Sequence, residues 1–261
     1  MTSAFGSKIN QLLKEWPSGV VVVSRWLKEQ GISQQLADKY EKTSWLSRIG
    51  PGAFIRAGEK VAWDGGLYAL QAQLQLPVHV AAKSALELLG FAHFIPLGKS
   101  PIRLFGNPGT KLPRWFNSYA WENKIQYFTP GLFFNMELGL TQKDMGNFSV
   151  QLSSPERAIL EVLYLVPKQQ SFEEAHLLME GLVTLRPKLV QQLLENCKSI
   201  KVKRLFMLIA EKLNHTWLKK LSLEKVDFGK GKRSLIKEGV FNKKYQITVP
   251  KNYYAKSESL A

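Results

Sequence analysis

One cysteine, Cys197, stands in a chain of 261 residues. A lone thiol excludes an intramolecular disulfide framework and fits a reducing compartment. No apolar run approaches the roughly 20 residues that a membrane helix needs. The longest β-branched run, Val20 to Val23, is closed at once by Ser24 and Arg25. The opening MTSAFGSKINQLLKEW has no basic segment followed by an apolar one. A secretory signal is therefore not expected, and the expected location is cytoplasmic. The four histidines, His79, His93, His176 and His215, are scattered, without metal-ligand spacing near Cys197. No G-x-S-x-G occurs, and GNPGTK at 106–111 lacks the spacing of a phosphate loop. Glu122-Asn-Lys124 has the E-x-K form of some nucleases, but residues 65–121 contain no aspartate to complete a metal site. No catalytic residue, metal or cofactor is expected, and the chain reads as a non-enzyme.

Acidic residues are also scarce. Against 36 Lys+Arg stand 21 Asp+Glu, a net charge of +15. The imbalance is local: residues 151–195 hold 4 Lys+Arg and 6 Asp+Glu, whereas residues 196–261 hold 16 and 5, net +11. Such a field favours an anionic partner, whether nucleic acid, an anionic membrane or an acidic protein. Hydrophobic residues make up 45%, enough for a full core, and the length suits about two domains.

In the first ninety residues Ile9, Leu12, Leu13 and Trp16 share one helical face, stopped by Pro17. Val20–Val23 suits a short strand. Ser24 is placed to cap a helix over Arg25–Gln30, ended by Gly31, and Ser33 to cap another running to about Thr43. Two helices across a short glycine turn make a helix-turn-helix, whose second helix enters the major groove. Its outer face would carry Ser33, Gln34, Gln35, Asp38, Lys39 and Lys42. Gln35, Lys39 and Lys42 follow i, i+4, i+7 and share a stripe. Glutamine bonds adenine, and lysine reaches guanine or phosphate; the competing reading is a solvated polar face. Gly50-Pro51-Gly52-Ala53 fits a type II turn in a hairpin with Arg48 and Arg56 on its arms. The order helix, strand, helix, helix, strand, strand is that of a winged helix. Its wing arginines would meet phosphates.

Asp64 precedes an expected helix over Gly65–Gln75. A second is expected over Val78–Leu89, ended by Gly90, the pair joining two domains at 1–90 and 91–261. FIPLG, PIRLFG, KIQYF and FSVQL read as strands in 91–150. PRWFNSYAWENK could stack on bases but reads better as core and rim of a small sheet. Helices are expected behind Ser154-Pro155, Ser171 and Arg186-Pro187, the second running through Leu177, Leu178 and Leu182. A fourth carries Lys201, Lys203 and Arg204 near its start, where its dipole disfavours cations. The tail RSLIKEGVFNKKYQITVP alternates like paired strands about a turn near Gly239 and Asn242, and Lys237, Lys243 and Lys244 make it basic. The expected class is α+β: a winged helix-turn-helix, then a mixed α/β domain with short strands, a helical segment and a basic tail.

These residues also carry a resemblance. Ser33, Gln35, Leu36, Lys39, Tyr40, Trp45 and Leu46 are followed by GPGAFIRAG and by WDGGLYALQ at 63–71. SSPERAILEVL (153–163), the stretch from Phe172 to Lys212 containing CKSIKVKRLF, and KYQITVP (244–250) come later. Together, over nearly the whole chain, they resemble the AbiEi antitoxins of type IV toxin–antitoxin systems. The resemblance implies a winged helix that binds inverted repeats in duplex DNA of the operon's own promoter, making an autorepressor. It also implies a C-terminal domain that opposes a cognate nucleotidyltransferase-type toxin, usually without a stable complex. It supplies no catalytic residues. Two alternatives are an antitoxin that sequesters its toxin by direct binding and a nucleic-acid-processing enzyme.

Overall fold

The computed structural model describes residues 2–91, 100–236, 238–251 and 253. Helix α1 (Thr2–Glu15) ends before Pro17 and turns Ile9, Leu12 and the following Trp16 inward. Strand β1 (Val22–Val23) leads into α2 (Ser24–Glu29) and α3 (Gln34–Lys42), and β2 (Leu46–Gly50) and β3 (Ala53–Arg56) form the wing. The sheet order is β1-β3-β2, all antiparallel. Gly52 takes φ +72° at the third position of the wing turn, as a type II turn demands. Beneath lies one cluster containing Ile9, Leu12, Trp16, Val22, Leu27, Ile32, Tyr40, Leu46 and Phe54. Each such side chain contributes about 1.5–3 kcal/mol on burial. One detail differs from expectation. Ser24 is the first helical residue of α2, Val23 sits at the cap position, and no side chain caps this helix.

Helix α4 (Trp63–Tyr68) continues as a π-helix over Ala69–Gln73. Gln73 then bonds one flank of the β1 segment, accepting from Val23 N–H at 2.9 Å and donating to Val21 O at 3.0 Å. It thus satisfies backbone groups that would otherwise be buried unpaired. The expected single helix over Val78–Leu89 is corrected to a strand, β4 (Val78–Val80), and a short helix, α5 (Ala82–Leu88). The valines are wholly buried in mid-sheet, and Ala82, at φ +51°, breaks the backbone between the two elements.

The chain continues through β5 (Ile102–Gly106), α6 (Arg114–Ser118), β6 (Ile125–Phe128), β7 (Leu140–Asp144) and β8 (Ser149–Ser153). The five-stranded sheet runs β6-β5-β4-β8-β7. FIPLG falls outside the described residues apart from its context. Strand β7 was not expected, because LTQKD is mostly polar and half to fully exposed. Trp115 and Phe116 are core, and Trp121 Nε1 donates to Phe116 O at 2.7 Å. The aromatic-basic stretch is therefore packing rather than a stacking surface.

Four helices follow: α7 (Pro155–Leu165), α8 (Phe172–Glu180), α9 (Pro187–Asn196) and α10 (Ile200–Leu213). Ser171 accepts from Glu174 N–H and Ser199 from Val202 N–H, capping α8 and α10. Leu178 and Leu182 point inward, and Leu177 is exposed. In the tail, β9 (Arg233–Ser234) pairs parallel with β11 (Ile247–Val249), and β10 (Val240–Asn242) pairs antiparallel with it. The hairpin turn lies at 243–246, just beyond Asn242.

The backbone divides into two compact units. One comprises Met1–Val80, Lys99–Thr129 and Gln142–Gln151; the other comprises Ala81–Gly98, Pro130–Thr141 and Leu152–Ala261. The second unit contains a buried ion pair, Arg157–Glu161, at 2.8 Å with side chains 2% and 0% exposed. Further hydrogen bonds extend the pair. Arg157 Nη1 donates to Met136 O and Leu138 O, and Glu161 Oε2 accepts from Ser153 Oγ and Ala82 N–H.

Candidate nucleic-acid interface

Helix α3 is held from behind and open in front. Ser33 Oγ accepts from Leu36 N–H at 3.3 Å, fixing its start, and Ala37 and Tyr40 bury its inner face. Ser33, Gln34, Gln35, Lys39 and Lys42 are all exposed. A groove of about 690 Å³ runs between α2 and α3, lined by Ser24, Arg25, Lys28, Ser33 and Gln34 among others. Hydroxyl, amide and cationic groups thus converge at the N-terminal end of α3, where a helix-turn-helix meets base edges.

The two wing arginines part company. Arg48 reaches back onto α3, bonding Asp38 at 2.8 Å and Glu41 at 2.7 Å, with its guanidinium 4.5 Å from the Phe54 ring centre. The hydrogen bonds it donates to Glu41, against the opposing effect of burial and with help from Asp38, hold the Arg48 pKa above its ordinary value. Arg48 therefore offsets one of the two carboxylate charges of α3 and ties wing to helix. Arg56 turns inward instead. Its Nη2 donates to Leu13 O and Trp16 O, satisfying carbonyls that the end of α1 leaves open. Its expected place on a phosphate is corrected to that of a cap.

Part of the expected basic C-terminal surface turns inward as well. Lys203 and Arg204 are 3% and 2% exposed. Arg204 donates to the carbonyls of Phe228, Gly229, Gly231 and Gln246, pinning the tail to α10. Burial, with Arg233 nearby, lowers its pKa. Lys201 donates to Tyr164 O and Val166 O, and burial pushes its ammonium down to about 8. The dipole conflict at the start of α10 is thus met by backbone carbonyls rather than by a phosphate. Lys243 and Lys244 are exposed, Lys244 pairing with Glu211 at 2.6 Å. Lys237 lies outside the described residues. Among the described residues no group of three His, Cys, Asp or Glu is placed to hold a metal ion, and no helix is long and apolar enough to cross a membrane.

Residues 6–97 match the transcriptional-regulator family described as the AbiEi antitoxin N-terminal domain. Residues 99–250 match the transcriptional regulators described as AbiEi antitoxin, type IV TA system. The chain belongs to the AbiEi antitoxin family. The crystal structure of the RV2827C protein from Mycobacterium tuberculosis shares its fold, with a TM-score of 0.61 over 94% of this chain and 90% of that one at 16% identity. No curated protein sequence matches this antitoxin.

Further cations of the antitoxin are exposed outside the expected sites. Arg25 and Lys28 lie on α2 beside the groove, and Lys219, Lys220, Lys225, Lys230, Lys232 and Arg233 lie on the surface of the second unit. The signal for the latter was present in their spacing. Lys201, Lys203 and Arg204 occupy a helix whose apolar face runs almost all round, so three clustered cations had to turn inward. Those further along fall in short 3₁₀ and coil segments, where a charged side chain meets water.

Proposed function

We propose that this AbiEi-family antitoxin represses its own operon by seating α3 in the major groove of promoter DNA, and that it opposes a nucleotidyltransferase-type toxin encoded with it. The exposed stripe Gln35–Lys39–Lys42 on a capped helix carries this reading. Gln34 and Gln35 face bases, Ser33 sits at the groove mouth, and Lys39 reaches a base or phosphate. Lys42 and the wing-borne Arg48 position the helix on the backbone. Arg48 must then share its charge between α3 and the DNA.

Two copies on an inverted repeat, each offering Lys39, Lys42 and Arg48, bring about six cations to phosphates. Log affinity is then expected to fall with log salt at a slope near −5. A gel-shift series on the DNA upstream of the operon, across salt concentrations and against an unrelated duplex, checks this. A slope near zero, or equal affinity for both duplexes, removes the proposal.

Arg56 provides a contrasting test. Arg56→Ala is expected to cost about 1–3 kcal/mol of stability, the range for hydrogen bonds from a charged donor. Promoter affinity of the folded protein should change less than about threefold, a difference under 1 kcal/mol. Urea unfolding and gel shift on the same preparation separate the two effects. Unchanged stability with lost binding would return Arg56 to the phosphates.

A further inference from the structure

We propose that the exposed face of the C-terminal three-stranded sheet binds single-stranded RNA, independently of the winged helix. The strand register aligns Phe241 with Thr248 and Thr248 with Ser234. Residues opposed in this way project to one face, so a ring and two hydroxyls form a row across β10, β11 and β9. The other face carries Ile247 and Val249, both wholly buried. The Phe241 row is thus the outward one, and Phe241 is 37% exposed.

Cations frame the ring. Lys232 Nζ lies 5.4 Å from its centre. Lys243 and Gln246, in the turn joining β10 to β11, are exposed, as is Lys230 ahead of β9, whereas Arg233, paired with Ile247, belongs to the other face. Lys244 does not count toward the set, because it is held by Glu211. Glu238 is the exposed acid in the β9–β10 connection.

Charge complementarity selects a polyanion, since residues 196–261 carry net +11. The ring narrows the choice. An aromatic on a sheet surface beside a lysine offers a platform for an unstacked base and has no use for a duplex, whose bases are already stacked. A row about 10 Å wide accommodates two or three nucleotides. The Thr248 hydroxyl opposite the ring and the Ser234 oxygen, which donates to Ile236 O and can still accept, suit the ribose 2′-hydroxyl, which favours RNA over DNA.

The test uses the full-length protein and fluorescein-labelled, unstructured 12-nucleotide RNA, with single-stranded DNA of the same sequence, a DNA duplex and polyglutamate as competitors. Anisotropy is expected to show saturable RNA binding. Phe241→Ala should weaken it about tenfold or more, and Phe241→Trp should preserve it. Lys232→Gln with Lys243→Gln should reduce the salt slope by about 1.4, at about 0.7 for each lost single-strand contact. Lys39→Glu, which removes the winged-helix contribution, should leave RNA affinity unchanged. Circular dichroism melts of each variant confirm the fold. Absence of RNA binding, equal binding by Phe241→Ala, loss in Lys39→Glu, or competition by single-stranded DNA or polyglutamate as strong as by RNA would each overturn the assignment.

Discussion

Lys39→Glu is expected to abolish specific promoter binding while leaving the protein folded and its antitoxicity intact. Lys39 is exposed near the centre of the outward stripe on α3. Its loss removes a base or phosphate contact worth about 1–3 kcal/mol. The new carboxylate adds repulsion from the phosphates that reaches several kcal/mol for opposed like charges. A combined loss of at least 3 kcal/mol is more than about 100-fold in affinity. The cost to the fold is small. Glutamate is a good helix former, and an acidic residue toward the end of α3 costs about 0.3–1 kcal/mol. Gel shift measures the first effect, thermal melting the second, and growth rescue on toxin expression the third. Loss of binding and rescue together, with melting unchanged, would refute the division of labour between α3 and the rest of the chain.

The largest effect on stability is expected at the buried ion pair. Glu161→Ala leaves the Arg157 guanidinium charged and its Nε unpaired in the interior, together with Ser153 Oγ and the Ala82 N–H. Removing one partner of a buried pair costs about 3–5 kcal/mol. For a chain of this size that lowers the melting temperature by roughly 6–20 °C. A left-handed residue is involved as well. Ala82 is held at φ +51° with its N–H on Glu161, and that conformation costs of order 1–3 kcal/mol. An isolated pair is often replaced by apolar residues without loss, but this one is not isolated. Arg157→Met with Glu161→Leu would strand the carbonyls of Met136 and Leu138 in addition. The double variant should therefore stay at least about 2 kcal/mol less stable than the parent. Calorimetry on the two variants decides; full recovery in the double variant would reduce the network to a simple pair.

Local chemistry made much of this fold legible in the sequence. Ser33 and Ser171 cap the helices they precede, Pro155 and Pro187 open theirs, and Gly52 turns the wing, because each acts through its own backbone neighbours. What could not be read depends on partners distant in sequence. Val78-His-Val80 is helix-compatible by pattern and becomes a strand because β5 and β8 flank it. LTQKD has no apolar alternation and is a strand by pairing at a sheet edge. The candidate site divides along the same line. The α3 stripe follows from helical periodicity, whereas Arg48 and Arg56, with similar surroundings in sequence, diverge according to what lies opposite. One faces the carboxylates of Asp38 and Glu41, the other the open carbonyls at the end of α1. Arg204 was read as surface because nothing in its neighbourhood announces four carbonyls 24 to 42 residues further on.

Gln73 has a role beyond internal bookkeeping. By offering an amide oxygen and an amide nitrogen to the flank of β1 that β3 does not use, one side chain imitates the peptide group of a missing neighbour. A bare strand margin recruits other chains. That imitation closes this margin of the small sheet to another strand and leaves β2 as its one remaining edge.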